Sequence, residues 1–242
     1  MDHPETVLHI EHDGKLFLVN EKGEGPQIPV KGRIDSSRAN FRLPTPEELT
    51  HLGIEWSEKG RSMLRLGDTE TVVIKGLPDI EWPQDWAWKD DVISDSSVHP
   101  IARESVYRSL HRLVAKVVVI DDDDRILMAK VKRGHFTGCW SLPGGYLDHD
   151  EHPRIGAARE ALEELGLNIE INESNTSIVE QNIFTDEGIS FVSFTYRVEI
   201  QSPNLEFSLK EDEIEAVDWF SQSEAIANAV SWFDITAIEK LS

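Results

Sequence analysis

The sequence predicts an α/β fold in which a small β-rich segment precedes a larger layered domain. Three observations carry the expectation. Alternating apolar and polar residues flank Asp13-Gly14 near the start, and Asp-Gly between such runs is the strongest short-range hairpin signal. After Ser105 strand-like and helix-like runs alternate, the pattern of packed sheet and helix layers. The length, 242 residues, suits one large domain or two small ones, because domains usually run roughly 100–200 residues.

Composition narrows the function classes. Hydrophobic residues make up 39%, with seven Trp and nine Phe, enough for a packed core and unlike a disordered or collagen-like chain. Lys plus Arg is 24 against 45 Asp plus Glu, a formal charge of −21. Phosphate backbones and anionic membrane surfaces both call for Lys/Arg patches, so the charge argues against a nucleic-acid partner and against a membrane partner. Cys139 is the only cysteine, which excludes an internal disulfide and a Cys-based zinc site. The stretch Leu113–Ile120 is the most apolar, is interrupted by Lys116, and is far short of the ~20 residues of a membrane helix. The start, Met1 to Thr6, lacks the basic and apolar runs of a signal peptide. A cytoplasmic location is the expectation.

In chain order, residues 1–105 read as the β-rich domain and its connector. Val7–His12 and Lys15–Asn20 are strands, Glu21–Pro29 is a loop, and Pro44–His51 is a helix with Thr45 as N-cap and Glu47 and Glu48 in its first turn. Thr69–Lys75 is a further strand. Gly76–Glu104, with three prolines and Trp82, Trp86 and Trp88, reads as a connector whose tryptophans pack between domains. A faint internal echo is present. Asp13–Leu18 resembles Asp123–Met128, and Ile28–Gly32 loosely parallels Leu142–Gly145, as though the first part were a degenerate copy of the second.

Residues 106–242 form the second domain. Val114–Ile120 and Arg125–Val131 read as strands around the acidic turn Asp121–Asp124. Gly134–Gly138 is a loop and Trp140–Leu142 a short strand. Pro153–Leu165 is helical. Ser177–Phe184, Ser190–Ile200 and Ala216–Phe220 are strands, and Ser221–Val230 is a helix.

The informative stretch is Gly145–Leu167. Successive helical residues turn by about 100°, so Glu160, Glu163 and Glu164 share one arc. Ile155, Ala158, Leu162 and Leu165 fall opposite, as the expected buried face. Like charges at this spacing destabilise a helix unless something compensates them. Solvation, distance and salt would relieve them on an exposed acidic face, and Mg²⁺ or Mn²⁺, which prefer carboxylate oxygen, would do so at a metal site. Gly144-Gly145 leaves a backbone carbonyl open to a metal. Pro153 suits the first helical position and Gly166 the helix end. Arg159 is placed to orient Glu151 or Glu163.

Gly145, five residues, Glu151, seven residues, then Arg159-Glu160-Ala161-Leu162-Glu163-Glu164-Leu165-Gly166-Leu167 resembles the Nudix box, Gx5Ex7REUxEExGU with U aliphatic. The fixed positions Gly145, Glu151, Arg159, Glu160, Glu163, Glu164 and Gly166 all match. At about 7% per position, such a match arises by chance in on the order of one chain in a million. The resemblance covers Leu113–Val230. It extends to the run Gly138–Gly145 ahead of the box and to Glu213–Phe220, which looks like the family's last strand.

The resemblance implies a Nudix α/β/α sandwich with a mixed sheet and hydrolysis of the diphosphate of a nucleoside diphosphate linked to another group. It implies a cation (Mg²⁺ or Mn²⁺) held by Gly145, Glu160, Glu163 and Glu164, with Glu163, Glu160 and Arg159 as catalytic residues. The general base would be a box glutamate or a loop acid among Glu187, Glu211, Asp212 and Glu213. Lys130, Lys132, Arg133 and Glu151 are the expected substrate contacts. The partner would be a nucleotide-type small molecule, with a homodimer by analogy. Arg133–Gly145 is most similar to ADP-ribose-type members, although the proline that many of them carry after the box is replaced by Asn182 and Ile183. The tyrosine of diadenosine-polyphosphate hydrolases is absent, with Phe184 nearby. NADH pyrophosphatases also have an N-terminal domain, but their zinc cysteines are absent here. Cys139 is outside the motif of the related isomerases and reads as a buried strand residue. A nucleoside triphosphate pyrophosphohydrolase and a non-catalytic nucleotide-sensing domain are the alternatives.

Overall fold

Asp13 and Gly14 both take positive φ, 47° and 74°, as a two-residue hairpin turn matched to strand twist requires. They join β1 (Glu5–His12) to β2 (Lys15–Leu16). The computed structural model describes residues 4–29, 39–133, 136–183, 189–201 and 205–242. The chain divides into two compact units, the first running to Leu110 and the second beginning at His111.

In the first unit β3 (Val19–Asn20) pairs with β4 (Phe41–Arg42), followed by α1 (Pro46–His51). The Thr45 hydroxyl accepts the Glu48 N–H while the Glu48 carboxylate accepts the Thr45 N–H, a reciprocal cap that satisfies two orphan donors. Next come β5 (Trp56–Leu66), β6 (Thr69–Pro78), β7 (Ala87–Trp88), α2 (Lys89–Ser94) and α3 (Pro100–Ser109). The sheet order is β5-β6-β1-β2-β7, with β1 and β6 parallel. Both faces of this sheet are covered. Leu8, Ile10, Phe17 and Leu49 of α1 pack in one cluster; Val7, Leu16 and Val73 pack with Val92, Ile101 and Val106 of α2 and α3 in another.

The stretch read as a connector is therefore part of this unit. Ala87, Val92 and Val98 are buried, and Trp86 packs edge-on against Phe17 at 5.1 Å. Trp82 and Trp88 are exposed and flank the Lys15 ammonium at 5.0 and 4.9 Å. Apolar residues spaced by prolines concealed two short helices.

The second unit contains β8 (Arg112–Ile120), β9 (Ile126–Val131), β10 (Trp140–Ser141), β11 (Gly144–Tyr146), α4 (Pro153–Leu165), β12 (Ser177–Ile183), β13 (Ser190–Glu199), β14 (Ile214–Phe220), α5 (Gln222–Asn228) and α6 (Trp232–Leu241). Asp121 shapes the β8–β9 turn by accepting the Asp123 and Arg125 N–H groups at 3.0 and 2.8 Å. The sheet is mixed. β13 runs parallel to β8, and β12 pairs antiparallel with β13. On its other side β8 meets β9 only at Ile120–Ile126; beyond that point β10 pairs with β9 and β11 with β8. β14 pairs with β9. Helix α4 covers one face, burying Ala161 and Leu165 against Val117, Val119 and Leu127. Helices α5 and α6 cover the other through Ala225, Ile238 and Leu241. This is the expected α/β/α sandwich with a mixed sheet, following a β-rich first unit in the chain. Cys139 is half-buried in the bend ahead of β10 rather than in a strand.

The two units follow the same path. In each, a central strand (β1, β8) forms a hairpin with the next (β2, β9). The central strand also pairs in parallel with the second strand of a later hairpin (β5–β6, β12–β13), and two helices close the unit. The Leu8 N–H donates to the Pro44 carbonyl at 2.8 Å as the Val117 N–H donates to that of Pro143 at 3.0 Å. The echo of Leu142-Pro143 is thus Leu43-Pro44, not Ile28-Pro29, and Val30–Gly32 lie outside the described residues. In the first unit only Thr45 intervenes between Pro44 and α1. In the second, residues 144–152 intervene before α4.

Candidate active site

Helix α4 is bounded as its sequence dictates. The His152 side chain caps the Arg154 N–H at 3.2 Å, Pro153 opens the first turn, and Gly166 closes the helix in the left-handed region at φ 69°. Its buried face differs from expectation. Gly156, Ala157, Ala161 and Leu165 are buried, whereas Ile155 and Leu162 are 63% and 50% exposed. Small residues permit close approach to β8 and β11, and this outweighs the burial of two larger side chains. The consequence is a rotation of the helix about its axis. Glu164 and Glu160 fall within the buried arc and Glu163 at its edge, not on the far side.

That rotation sets the electrostatics. Burial pushes the Glu164 carboxyl up to about 7, against a counteracting hydrogen bond from the Gly144 N–H to Oε2 at 3.1 Å. Burial also raises Glu160, opposed by Arg159. Glu163 is exposed and meets Arg159 Nη1 at 3.3 Å. Arg159 binds Glu151 with two parallel hydrogen bonds of 2.8 and 2.9 Å, Glu160 Oε1 at 2.9 Å and the Tyr146 carbonyl at 3.0 Å. Glu151, expected at the substrate, is almost buried and committed to this arginine, whose guanidinium holds its carboxyl below the ordinary range.

The loop glycines fit the same geometry. A Cβ on Gly145 would stand 2.6 Å from the Glu160 carboxylate; one on Gly144, at φ 149°, would collide with the Ala115 carbonyl oxygen. Only glycine lets this backbone lie against the carboxylates.

The basic candidates meet the loop acids. Lys130 pairs with Glu215 at 2.8 Å, and Lys132 donates to the Glu211 carbonyl at 2.6 Å. Arg133 pairs with Glu213 and, at 3.4 Å, with Asp212. Glu213 also meets Lys210 at 3.0 Å, and its charge helps to raise both Glu160 and Glu164. Among the candidate loop acids, the charge of Glu213 reaches the carboxylate cluster, and Glu187 lies outside the described residues. Lys132, Glu211 and Glu215 line a cavity of about 580 Å³ together with Phe207, Leu209 and Ile214.

A family model for the NUDIX domain matches residues 110–241. The chain belongs to the Nudix hydrolase family. It is 30% identical over 139 residues to a MutT-like protein of Streptomyces ambofaciens, covering 57% of this chain and 82% of that one. It is 41% identical over 58 residues to an ADP-ribose pyrophosphatase of Methanocaldococcus jannaschii; this covers 24% of the chain and only 34% of that relative. Among solved structures it is similar to a MutT NUDIX hydrolase of Burkholderia pseudomallei, at 28% identity and a TM-score of 0.46 over 55% of this chain and 99% of that one. Family membership makes the chain a Nudix pyrophosphohydrolase, an enzyme acting on phosphorus-containing anhydrides.

The Nudix-box residues fit a hard divalent cation. Two carboxylates are held in surroundings that disfavour their charge, and the Gly144–Gly145 backbone is pressed against them without room for a side chain. Oxygen donors of this type suit Mg²⁺ or Mn²⁺. Among the described residues no three His, Cys, Asp or Glu side chains already stand at ligating distances. Arg159 holds Glu160 and Glu163 in the meantime. Among the same residues no helix is long and apolar enough to cross a membrane.

One Nudix-domain feature escaped the sequence reading. Asp234, on the unanticipated helix α6, is fully buried and pairs with Lys116 of β8. Its Oδ2 accepts the Ser141 hydroxyl at 2.8 Å and the Leu142 N–H at 3.2 Å. The signal was present: Lys116 and Asp234 are each a lone charge in an otherwise apolar run.

Proposed function

We propose that the second unit catalyses divalent-metal-dependent hydrolysis of a diphosphate within a nucleoside diphosphate linked to another group, ADP-ribose being the leading substrate. The observation that carries this reading is the pair of desolvated carboxylates, Glu160 and Glu164, packed against Gly144–Gly145. Burying like charges is costly unless a cation compensates them, and a diphosphate brings the further negative charge that such a cation would bind.

In this reading Glu160, Glu163, Glu164 and the Gly145 carbonyl hold Mg²⁺ or Mn²⁺. The cation supplies Lewis acidity at the phosphoryl oxygens and an activated water. Arg159 positions Glu160 and Glu163 by its fixed fork, with Glu151 as the clamp that keeps the guanidinium in place. Glu213 would take the proton of the attacking water once substrate phosphate draws Arg133 away from it. Lys130, Lys132 and Arg133 exchange their present carboxylate and carbonyl partners for substrate phosphate. The short match to an ADP-ribose pyrophosphatase covers a quarter of the chain and supports the choice of substrate class. A second copy of the chain is the partner proposed by analogy, tested by light scattering in solution.

The test is hydrolysis of ADP-ribose with Mg²⁺ or Mn²⁺ by the full chain, with Glu164→Gln alongside. Turnover that needs the cation and is lost in the variant supports the reading. Cleavage of nucleoside triphosphates in preference to ADP-ribose would replace the substrate. Tight binding of ADP-ribose without any turnover would replace the enzyme by a sensor.

A further inference from the structure

We propose that Asp234, its charge matched by Lys116, is a positioning residue that fixes the Leu142–Gly145 segment against the carboxylates from the opposite face of the sheet. The inference rests on the reading of Glu160, Glu163 and Glu164 as cation ligands.

The segment is held at three points. The Leu142 N–H donates to Asp234 Oδ2 at 3.2 Å, the Pro143 carbonyl accepts the Val117 N–H at 3.0 Å, and the Gly144 N–H donates to Glu164 at 3.1 Å. Leu142 lies just past β10, so its N–H is satisfied by a side chain rather than by a neighbouring strand. Asp234 reaches it from α6, on the face of the sheet away from α4. Lys116 donates to Asp234 and, at 2.9 Å, to the Ser141 hydroxyl, which itself donates to Asp234. Every oxygen of the Asp234 carboxylate thus has a fixed partner.

Stability gives a poor reason for such a pair. Replacing a buried ion pair with apolar side chains of similar size is often neutral or stabilising. A geometric reason is available. Gly144 pairs with Lys116 itself in the β8–β11 ladder, so the lysine whose head binds Asp234 also supports, through its backbone, the residue that donates to Glu164. Residues that hold a ligand set from behind typically contribute 10–100-fold to metal affinity or activity.

Two uncharged double variants isolate the positioning hydrogen bond. Lys116→Met with Asp234→Leu removes the acceptor for Leu142. Lys116→Met with Asp234→Asn keeps one. Glu164→Gln reports on the ligand reading. Mn²⁺ affinity is measured by electron paramagnetic resonance of the free ion, beside kcat, KM and the thermal midpoint. We expect the Asp234→Leu double variant to lose on the order of 10–100-fold in Mn²⁺ affinity and kcat, and the Asp234→Asn double variant to recover most of it at an equal midpoint. Equal affinity and kcat in the two double variants, with loss in Glu164→Gln, would overturn the inference alone. Unchanged Mn²⁺ affinity in Glu164→Gln would overturn the ligand reading and the inference with it. Amide exchange of the wild-type protein serves if the Asp234→Leu double variant does not fold. Leu142 should exchange as slowly as the β9 core, and exchange at open-loop rates would refute the anchor.

Discussion

Arg159 and Glu151 form a two-pronged ion pair, Nε to Oε1 at 2.8 Å and Nη2 to Oε2 at 2.9 Å, while the remaining arm of the guanidinium reaches Glu160. A point charge cannot reproduce this fork. Arg159→Lys should lower kcat on the order of 10–100-fold with little change in midpoint, because Glu160 and Glu163 lose their alignment. Steady-state kinetics beside a thermal melt checks it. Unchanged kcat would leave Arg159 as a surface ion pair.

The two loop glycines should respond differently. On Gly145 a methyl group meets the mobile end of Glu160 at 2.6 Å, so Gly145→Ala should fold and lose activity by roughly 100-fold, the scale of a ligand misplaced by about 1 Å. On Gly144 the methyl meets backbone that cannot yield, at a positive φ. Gly144→Ala should therefore lower the midpoint as well as the activity. Equal midpoints for the two variants would contradict this assignment.

Glu164 gives a pH signature in the metal-free protein. Burial raises its carboxyl from 4.5 to about 7 in the folded state. Between these values the folded chain binds more protons than the unfolded chain, so stability falls as pH rises. The contribution of this residue is fully present below about 4.5 and lost above about 7, a difference of ~3 kcal/mol. The metal-free midpoint should decline from about pH 5 to about pH 8, and Glu164→Gln should flatten that decline. A wild-type profile no steeper than that of the variant would refute the burial argument.

Glu213 is the loop acid assigned to the proton. Glu213→Gln should reduce kcat by about 10²–10⁴-fold and leave Mn²⁺ affinity near that of the wild type. It also releases Arg133 and Lys210, its present partners, so KM is measured too. A variant with full kcat moves the base to a box glutamate.

Much of this was legible in the residues. The Asp13-Gly14 hairpin, the Thr45 cap, Pro153 and Gly166 each act through local backbone preferences, so their positions follow from the sequence. The spacing from Gly145 to Gly166 identified the box for the same reason. The face of α4 was not legible, because it depends on how closely Gly156, Ala157 and Ala161 approach the sheet, and hydrophobic periodicity favours Ile155 and Leu162 instead. The pairing of Lys116 with Asp234 spans the domain, and no local pattern encodes a contact at that separation. The commitment of Lys130, Lys132 and Arg133 to the 211–215 segment is likewise a product of the β9–β14 register. The shared path of the two units was visible only as an echo around one hairpin.

The central claim is tested most directly by a hydrolysis panel with Mg²⁺ containing ADP-ribose, NADH, a diadenosine polyphosphate, nucleotide sugars and nucleoside triphosphates, with Glu163→Gln as control. The account predicts cation-dependent cleavage of ADP-ribose or a close relative, lost in Glu163→Gln. No turnover of any compound, or cleavage that persists unchanged in Glu163→Gln, would contradict it.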